Sequence, residues 1–244
     1  MSFFKKLAEK DSLIDEIRLK ELKHFSKSLG IRFRRLDLLD LALTHRSYLN
    51  INKNNYNNER LEFLGDSVLG VVVTEYLYKS FPEKKEGELA KIKSYVVSEE
   101  VLAKIGLTIG IDSVILFGKG EEASGGRKKN AIIEDAVEAL FGAYYLDQGY
   151  DKIKKFIRSL LIPEIDLVLK GDYRKDYKTI LQELAQKKDK VCPKYVLVEK
   201  MGPDHNITFK YEVLIHNNVM GTGIGRSKKS AEQKAAKDAL ISYK

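Results

Sequence analysis

The sequence predicts two domains of different class: an all-α domain over residues 1–170 and a smaller α+β domain over residues 176–244, joined by a linker at 171–175. Three observations lead there. Apolar residues recur at three- and four-residue spacing as far as Leu169, then change after Tyr195 to the short β-branched and aromatic runs of strands. Lys170-Gly171-Asp172-Tyr173-Arg174-Lys175 is short, polar and glycine-containing, as a linker should be. Charge divides at the same place. Of the net +8 over 244 residues, the part from Gly171 onward carries 15 Lys+Arg against 9 Asp+Glu, leaving 28 against 26 for the first 170. A basic C-terminal module suits a polyanionic partner.

Taken in order, Asp15 to Leu29 reads as a helix (Ile17, Leu22, Phe25, Leu29) stopped by Gly30. Leu36 to Leu43 is a second, closed by Thr44-His45-Arg46-Ser47-Tyr48. The asparagine-rich stretch Asn50 to Asn58 has no apolar periodicity and is a loop. A long helix then runs to about Ser80 and ends near Phe81-Pro82. Another begins at Glu86-Gly87-Glu88, where acids favour the positive dipole end; it carries Leu89, Ile92, Val96 and Val97 and continues through Val101, Leu102 and Ile105. Gly118 to Lys129 is glycine-rich and charged, hence a loop. Asn130 to about Asp147 is helical, and so is Tyr150 to Leu169, with an interruption expected at Pro163. Beyond the linker, Tyr177 to Lys187 is a helix. Tyr195–Val198 and Thr208–Ile215 are strands separated by a loop at Met201 to His205. Asn217-Asn218 suits a hairpin turn into a third strand. Ser227 to Tyr243 is an alanine-rich helix with a serine cap.

Hydrophobic content of 43% with 32% charged residues is that of a soluble globular protein. No apolar run has the length of a membrane span, and Met1-Ser2-Phe3-Phe4-Lys5-Lys6 is not followed by a signal-peptide core. The single cysteine, Cys192, excludes an internal disulfide and a thiolate zinc site. A reducing cytoplasm is the expected compartment.

The chemistry-bearing stretch is Asn58-Glu59-Arg60-Leu61-Glu62-Phe63-Leu64-Gly65-Asp66-Ser67, at the start of the long helix. Residues three and four apart share a helix face, so Glu59, Glu62 and Asp66 project together, with Leu61, Leu64, Val68 and Val72 opposite. Phe63 and Val73 lie beside the carboxylates, so that side is expected to meet a packed cleft or another subunit. A second acidic pair, Asp135 and Glu138, shares its face with Ala131 and Gly142, whose small size would admit another helix. If the two faces met, Glu62, Asp66, Asp135 and Glu138 would form an oxygen-only cluster that repels itself unless protonated or filled by cations. Such donors suit magnesium or manganese rather than zinc, and magnesium there can activate water and stabilise a phosphodiester's leaving oxygen. The plainer reading is a solvated acidic face paired with Arg60 or Lys93.

The literal string Asn58–Ser67 resembles the signature of the ribonuclease III family. Leu43-Thr44-His45-Arg46-Ser47-Tyr48, Glu86-Gly87-Glu88-Leu89 and Glu134-Asp135-Ala136-Val137-Glu138-Ala139-Leu140 match its companion motifs in order. The tail resembles a double-stranded-RNA-binding domain, so the resemblance covers nearly the whole chain. It implies an endoribonuclease that cuts both strands of duplex RNA with Mg²⁺ (Mn²⁺ substituting), leaving 5′-phosphates, 3′-hydroxyls and short 3′ overhangs. Ribosomal RNA precursors and other structured transcripts would be its substrates. It further implies metal binding by Glu62, Asp66, Asp135 and Glu138, with Asp66 and Glu138 catalytic and Glu138 the most critical ligand. Glu59 and Glu86 correspond to accessory positions, and Phe63 to a residue inserted into the partner of a homodimer. No membrane and no small-molecule cofactor are implied. In the tail, Thr179, Gln182 and Glu183 match minor-groove positions of the first helix. His205, in Gly202-Pro203-Asp204-His205, matches the loop that reaches the next minor groove. Lys228 and Lys229 sit at a helix N-terminus, where charge and dipole favour phosphate. Many such domains carry another basic residue where this chain has Glu232.

Other features read more plainly. His45 has no second histidine at metal spacing and is expected to be buried and hydrogen-bonded; His24 and His216 belong to no motif. Cys192, before Pro193, is expected to be structural. Gly125-Gly126-Arg127 is a turn, too weak a pattern for a phosphate loop. Two competing functions remain at this level. One is a non-catalytic RNA-binding or scaffold protein of the same fold, against which the presence of all six acids counts. The other is a helical phosphohydrolase acting on small nucleotides, which lacks the paired His-Asp ligands and leaves the tail unexplained.

Overall fold

The first helix, α1 (Glu16–Ser28), opens where the Asp15 carboxylate accepts the Arg18 backbone N–H at 2.8 Å and ends before Gly30, whose φ of +67° suits glycine. The computed structural model describes residues 14–50, 56–170, 177–203 and 207–243. The chain divides into two compact units that part between Lys170 and Gly171. In the first unit α2 (Leu36–Ala42), a 3₁₀ turn (Arg46–Asn50), α3 (Glu59–Ser80) and α4 (Glu86–Val96) follow α1, then α5 (Glu99–Thr108), α6 (Lys119–Ala123), α7 (Asn130–Gln148) and α8 (Tyr150–Leu169). Buried Arg18 ties α1 to its surroundings, donating from Nε to Asp40 and from Nη1 to the Val114 carbonyl, both at 2.8 Å.

Helix α7 is the axis of this unit. Ile133, Ala136, Val137, Ala139, Leu140, Phe141 and Ala143 have no exposed surface, and α2, α3, α5 and α8 all pack on it. A helix apolar on most sides must be enclosed by others, so the sequence of α7 dictates its central place.

Three expectations need correction here. The helix begun at Glu86 does not continue through Ile105: Ser98 takes extended backbone (φ −77°, ψ 153°), and Glu99 and Glu100 open a new helix behind it. Buried Val96 on one side and Val101 and Leu102 on the other can then meet the core at different angles. Gly118–Lys129 is more than a loop. It holds α6 and a 3₁₀ turn at Gly126–Lys128, closed by ion pairs of Lys129 with Glu121 (2.6 Å) and Arg127 with Glu122 (2.7 Å). Pro163 sits inside α8 without interrupting it. A helical proline costs about 3 kcal/mol, but each fully buried aliphatic or aromatic side chain returns about 1.5–3 kcal/mol. Ile153, Phe156, Ile157, Leu161, Ile165 and Val168 are buried on both sides of it. Burial wins.

The second unit comprises α9 (Tyr177–Asp189), β1 (Lys194–Met201), β2 (Thr208–Ile215), β3 (Asn218–Gly225) and α10 (Lys228–Ser242). The strands form an antiparallel sheet in the order β1-β2-β3, with a register shift between Leu197 and Glu199. Leu181 and Ala185 of α9, Val213 and Ile215 of β2, and Ala235, Ala236, Ala239 and Tyr243 at the other end form its core. Gly221 and Gly223 let β3 lie directly on α10. A Cβ at Gly223 would come within 2.2 Å of the Ala231 carbonyl oxygen. The hairpin turn is His216-Asn217, with φ of 51° and 63°, one residue earlier than expected. Asn218 already pairs with Ile215, and a two-residue loop of this kind needs positive φ at both central positions. Strand β1 is also longer than its apolar core, since Met201 pairs with Thr208. Cys192 is exposed, so it does not serve the core as expected. The expected linker at 171–175 and most of the Asn50–Asn58 loop lie outside the described residues. Among the described residues no helix is long and apolar enough to cross a membrane.

Candidate active site and nucleic-acid interface

Helices α3 and α7 cross with their backbones in contact. A Cβ at Gly65 would lie 1.7 Å from the Glu138 carbonyl oxygen, and one at Gly142 would lie 2.2 Å from the Leu61 carbonyl oxygen. Glycine on each helix thus seats the turn of the other. Gly142 was expected at such a contact; its counterpart Gly65 was missed, although it stands three residues after Glu62 and one before Asp66. Ala131 is exposed and takes no part, because the crossing lies nearer the middle of α7. Glu62, Asp66, Asp135 and Glu138 therefore project from two helices locked at one crossing.

Their electrostatics show the proximity. Burial first, then the charges of Asp66, Glu134, Glu62 and Asp135, push the Glu138 carboxyl up to about 8. Burial and then Asp135, Glu59 and Asp66 raise Glu62, with Arg46 opposing. Asp135 is raised by burial and by Glu99 and Glu59, again against Arg46. Glu134, absent from the expected set, is pushed up to about 7 by burial and by Glu99, Asp135, Glu62 and Asp66. Its signal was in the sequence, one turn before Glu138, but its coupling to α3 depends on the crossing. Among the described residues no three His, Cys, Asp or Glu side chains converge as a ready cation cage, as carboxylates that repel one another will not. The donor set is nonetheless all hard oxygen, with the carboxyls of Glu62, Asp135 and Glu138 raised, and so fits a hard divalent cation.

A pH dependence follows. Glu138 and Glu134 titrate near 8 and 7 in the folded protein and near the ordinary glutamate value when unfolded. The folded state therefore binds more protons across that window, and stability falls as pH rises through it. In EDTA, melting temperature should drop between about pH 5 and about pH 9, and Glu138→Gln should flatten the drop. A melting temperature equally pH-dependent in that variant would exclude Glu138 as the source.

Glu59 stands at the mouth, half-exposed, 3.7 Å from the Arg46 guanidinium and accepting the Asn57 amide at 2.9 Å. Glu86 is exposed at the first turn of α4 and is not among the principal charges felt by Glu62, Asp135 or Glu138. Within one chain, the structure does not bring it to the other acids. Arg46 was not singled out, yet it is the cation opposing the raised carboxyls. The segment bearing it is held by Leu116 and Leu43 (N–H to carbonyl, 2.8 Å) and by His45 and Leu116 (3.1 Å). His45 is buried, as expected. Its Nδ1 takes the Ser47 backbone N–H at 3.2 Å and faces Ser47 Oγ at 2.8 Å, so it is an acceptor, and burial lowers its pKa.

Phe63 and Val73 part company. Val73 is buried in its own unit, whereas Phe63 is 78% exposed. With Val71 and Tyr78, also exposed, Phe63 marks an apolar stripe along α3 through Ser67 and Thr74. An open groove beside it is lined by Asp66, Ser67, Gly70, Val71, Tyr78 and Lys93, among others. In the second unit Thr179, Gln182 and Glu183 are exposed on one face of α9, and Lys228 and Lys229 are exposed at the start of α10. Ser227 caps α10, accepting the Ser230 N–H at 3.2 Å. His205 lies outside the described residues.

Residues 36–165 match a family model described as ribonuclease-III-like, and residues 177–243 match the double-stranded RNA binding motif. A relative from Treponema denticola named Ribonuclease 3 is 52% identical over 223 residues, covering 91% of either chain. Another of that name, from Borreliella burgdorferi, is 47% identical over 225 residues with 91% of each covered. Among solved structures, the nuclease domain of ribonuclease III from Campylobacter jejuni, described for flexibility in a region involved in dimer formation, is similar with a TM-score of 0.53. It is 42% identical and covers 56% of this chain and 93% of that one.

Proposed function

The chain belongs to the ribonuclease III family of endoribonucleases acting on double-stranded RNA, and on that premise we propose that it cleaves both strands with Mg²⁺ held by Glu62, Asp66, Asp135 and Glu138. Mn²⁺ would substitute, and the products would carry 5′-phosphates, 3′-hydroxyls and short 3′ overhangs. Ribosomal RNA precursors and other structured transcripts in the cytoplasm are the proposed substrates. The observation that supports this reading is the Gly65–Gly142 crossing, a backbone contact between the two helices that bear the four carboxylates. A hard divalent cation held there would lower the pKa of a water and contribute positive charge to phosphodiester cleavage. Glu138 and Asp66 are the catalytic carboxylates. Glu138, nearly enclosed and with its carboxyl raised first by burial and then by its acidic neighbours, is the site at which a cation's positive charge would relieve the most repulsion. Glu62 and Asp135 complete the donor set, and Glu59 with Arg46 orders the mouth. Glu86 is assigned an accessory role. Thr179, Gln182, Glu183 and His205 would follow the minor groove, with Lys228 and Lys229 on phosphates; such contacts read duplex shape and backbone.

The test is incubation of a plain RNA duplex with the protein and Mg²⁺, with termini analysed chemically. Products bearing 3′-phosphates, or equal cleavage in EDTA, would refute the proposal.

The apolar stripe supports a homodimer in which Phe63 enters the partner. A phenylalanine exposed by 78% among other apolar side chains is the kind of surface that association covers. Phe63→Asp should shift sedimentation toward monomer; an unchanged profile would remove Phe63 from the contact.

A further inference from the structure

Glu232 lies one turn after Lys228 on α10, yet it does not face solvent. Only 5% of it is exposed. Its carboxylate accepts the Lys178 ammonium at 2.7 Å and lies 3.9 Å from that of Lys228. Lys178, in the first turn of α9, is held twice more. Its ammonium lies 4.6 Å from the centroid of the Tyr195 ring on β1, and its backbone N–H donates to Gln233 of α10 at 3.3 Å. Glu232 thus occupies the junction of α9, α10 and β1. The two turns meeting there carry Thr179, Gln182 and Glu183 on one side and Lys228 and Lys229 on the other. Glu232 is buried and Lys178 only partly exposed, so removing the carboxylate would leave the Lys178 ammonium without its charged partner at this junction, a larger loss than at a fully exposed pair.

We propose that Glu232 is a positioning residue for duplex RNA: through Lys178 it sets the spacing between the α9 contact face and the Lys228–Lys229 phosphate site. The inference rests on the duplex-binding reading above. Its consequence is counter-intuitive, since adding a positive charge at this place should weaken binding to a polyanion. The acid is needed to keep the flanking cations where phosphates meet them, and a rigid duplex rewards correct spacing.

The test measures binding of the full chain to a fluorescent RNA duplex in EDTA across a salt series. Thermal unfolding is followed in parallel. Glu232→Lys should bind about tenfold more weakly, and Glu232→Gln about threefold, at temperatures where both remain folded. The dependence of log affinity on log salt should become shallower as phosphate contacts are lost. The charge-swapped Lys178→Glu/Glu232→Lys protein should recover most of the affinity. Equal or tighter binding by Glu232→Lys, or weakening that merely follows the unfolded fraction, overturns the proposal, as does a swapped protein no better than Glu232→Lys. Failure of the unaltered protein to bind any duplex would refute the duplex-binding reading itself.

Discussion

Glu138→Ala is expected to lower the cleavage rate by about a thousandfold or more while leaving duplex affinity near that of the unaltered protein. Glu138 is only 9% exposed, and its pKa is shifted by every other acid of the crossing, Asp66, Glu134, Glu62 and Asp135. It is also the most enclosed of the four site carboxylates. Alanine removes both an oxygen donor and a proton acceptor, whereas the residues assigned to duplex binding belong to the other unit. Glu138→Gln keeps the shape and loses only the charge, so it should fail almost as badly. Cleavage undiminished by Glu138→Ala at saturating Mg²⁺ would sink the assignment, and loss of duplex binding along with cleavage would show that the residue serves structure instead. Single-turnover kinetics with direct binding measurements separate these results.

Gly65→Ala is expected to destabilise the nuclease unit by about 3 kcal/mol or more. The added methyl would lie 1.7 Å from the Glu138 carbonyl oxygen and 2.5 Å from its carbonyl carbon. Neither atom belongs to a side chain that can swing away, so the helices must separate and the carboxylates with them. Gly142→Ala meets the same obstacle from the other side, 2.2 Å from the Leu61 carbonyl oxygen. Gly87, also helical, has nothing within 4 Å of its Cβ position; there alanine should be neutral or gain up to about 1 kcal/mol from helix propensity. Urea denaturation of the three variants checks the contrast. Equal stabilities for Gly65→Ala and Gly87→Ala would mean that the crossing is looser than the backbone contact implies.

Much of the site was legible before any coordinates. Glu62 and Asp66, or Asp135 and Glu138, share a helix face because the chain geometry of a helix leaves them no alternative. Phe63 already stood out, an apolar residue on an acidic side. Val73 carried the same signal with the opposite outcome, because only Phe63 falls beyond the cover of neighbouring helices. Gly142 and Ala131 read alike as small residues, but the crossing reaches one and not the other. Glu134 and Arg46 were overlooked because their influence comes from charges that only the fold brings near.

By itself, the sequence determined what local physics controls: helix and strand periods, the Ser227 cap, the chemical type of each site residue and the ordered motifs that mark the family. Only the tertiary structure decided that Gly65 seats against Glu138 and Gly142 against Leu61, that α8 passes through Pro163 unbroken, and that Glu232 holds Lys178. Each of these depends on close contact or burial between segments far apart in the chain, and no periodicity within one segment can encode where its partner will lie.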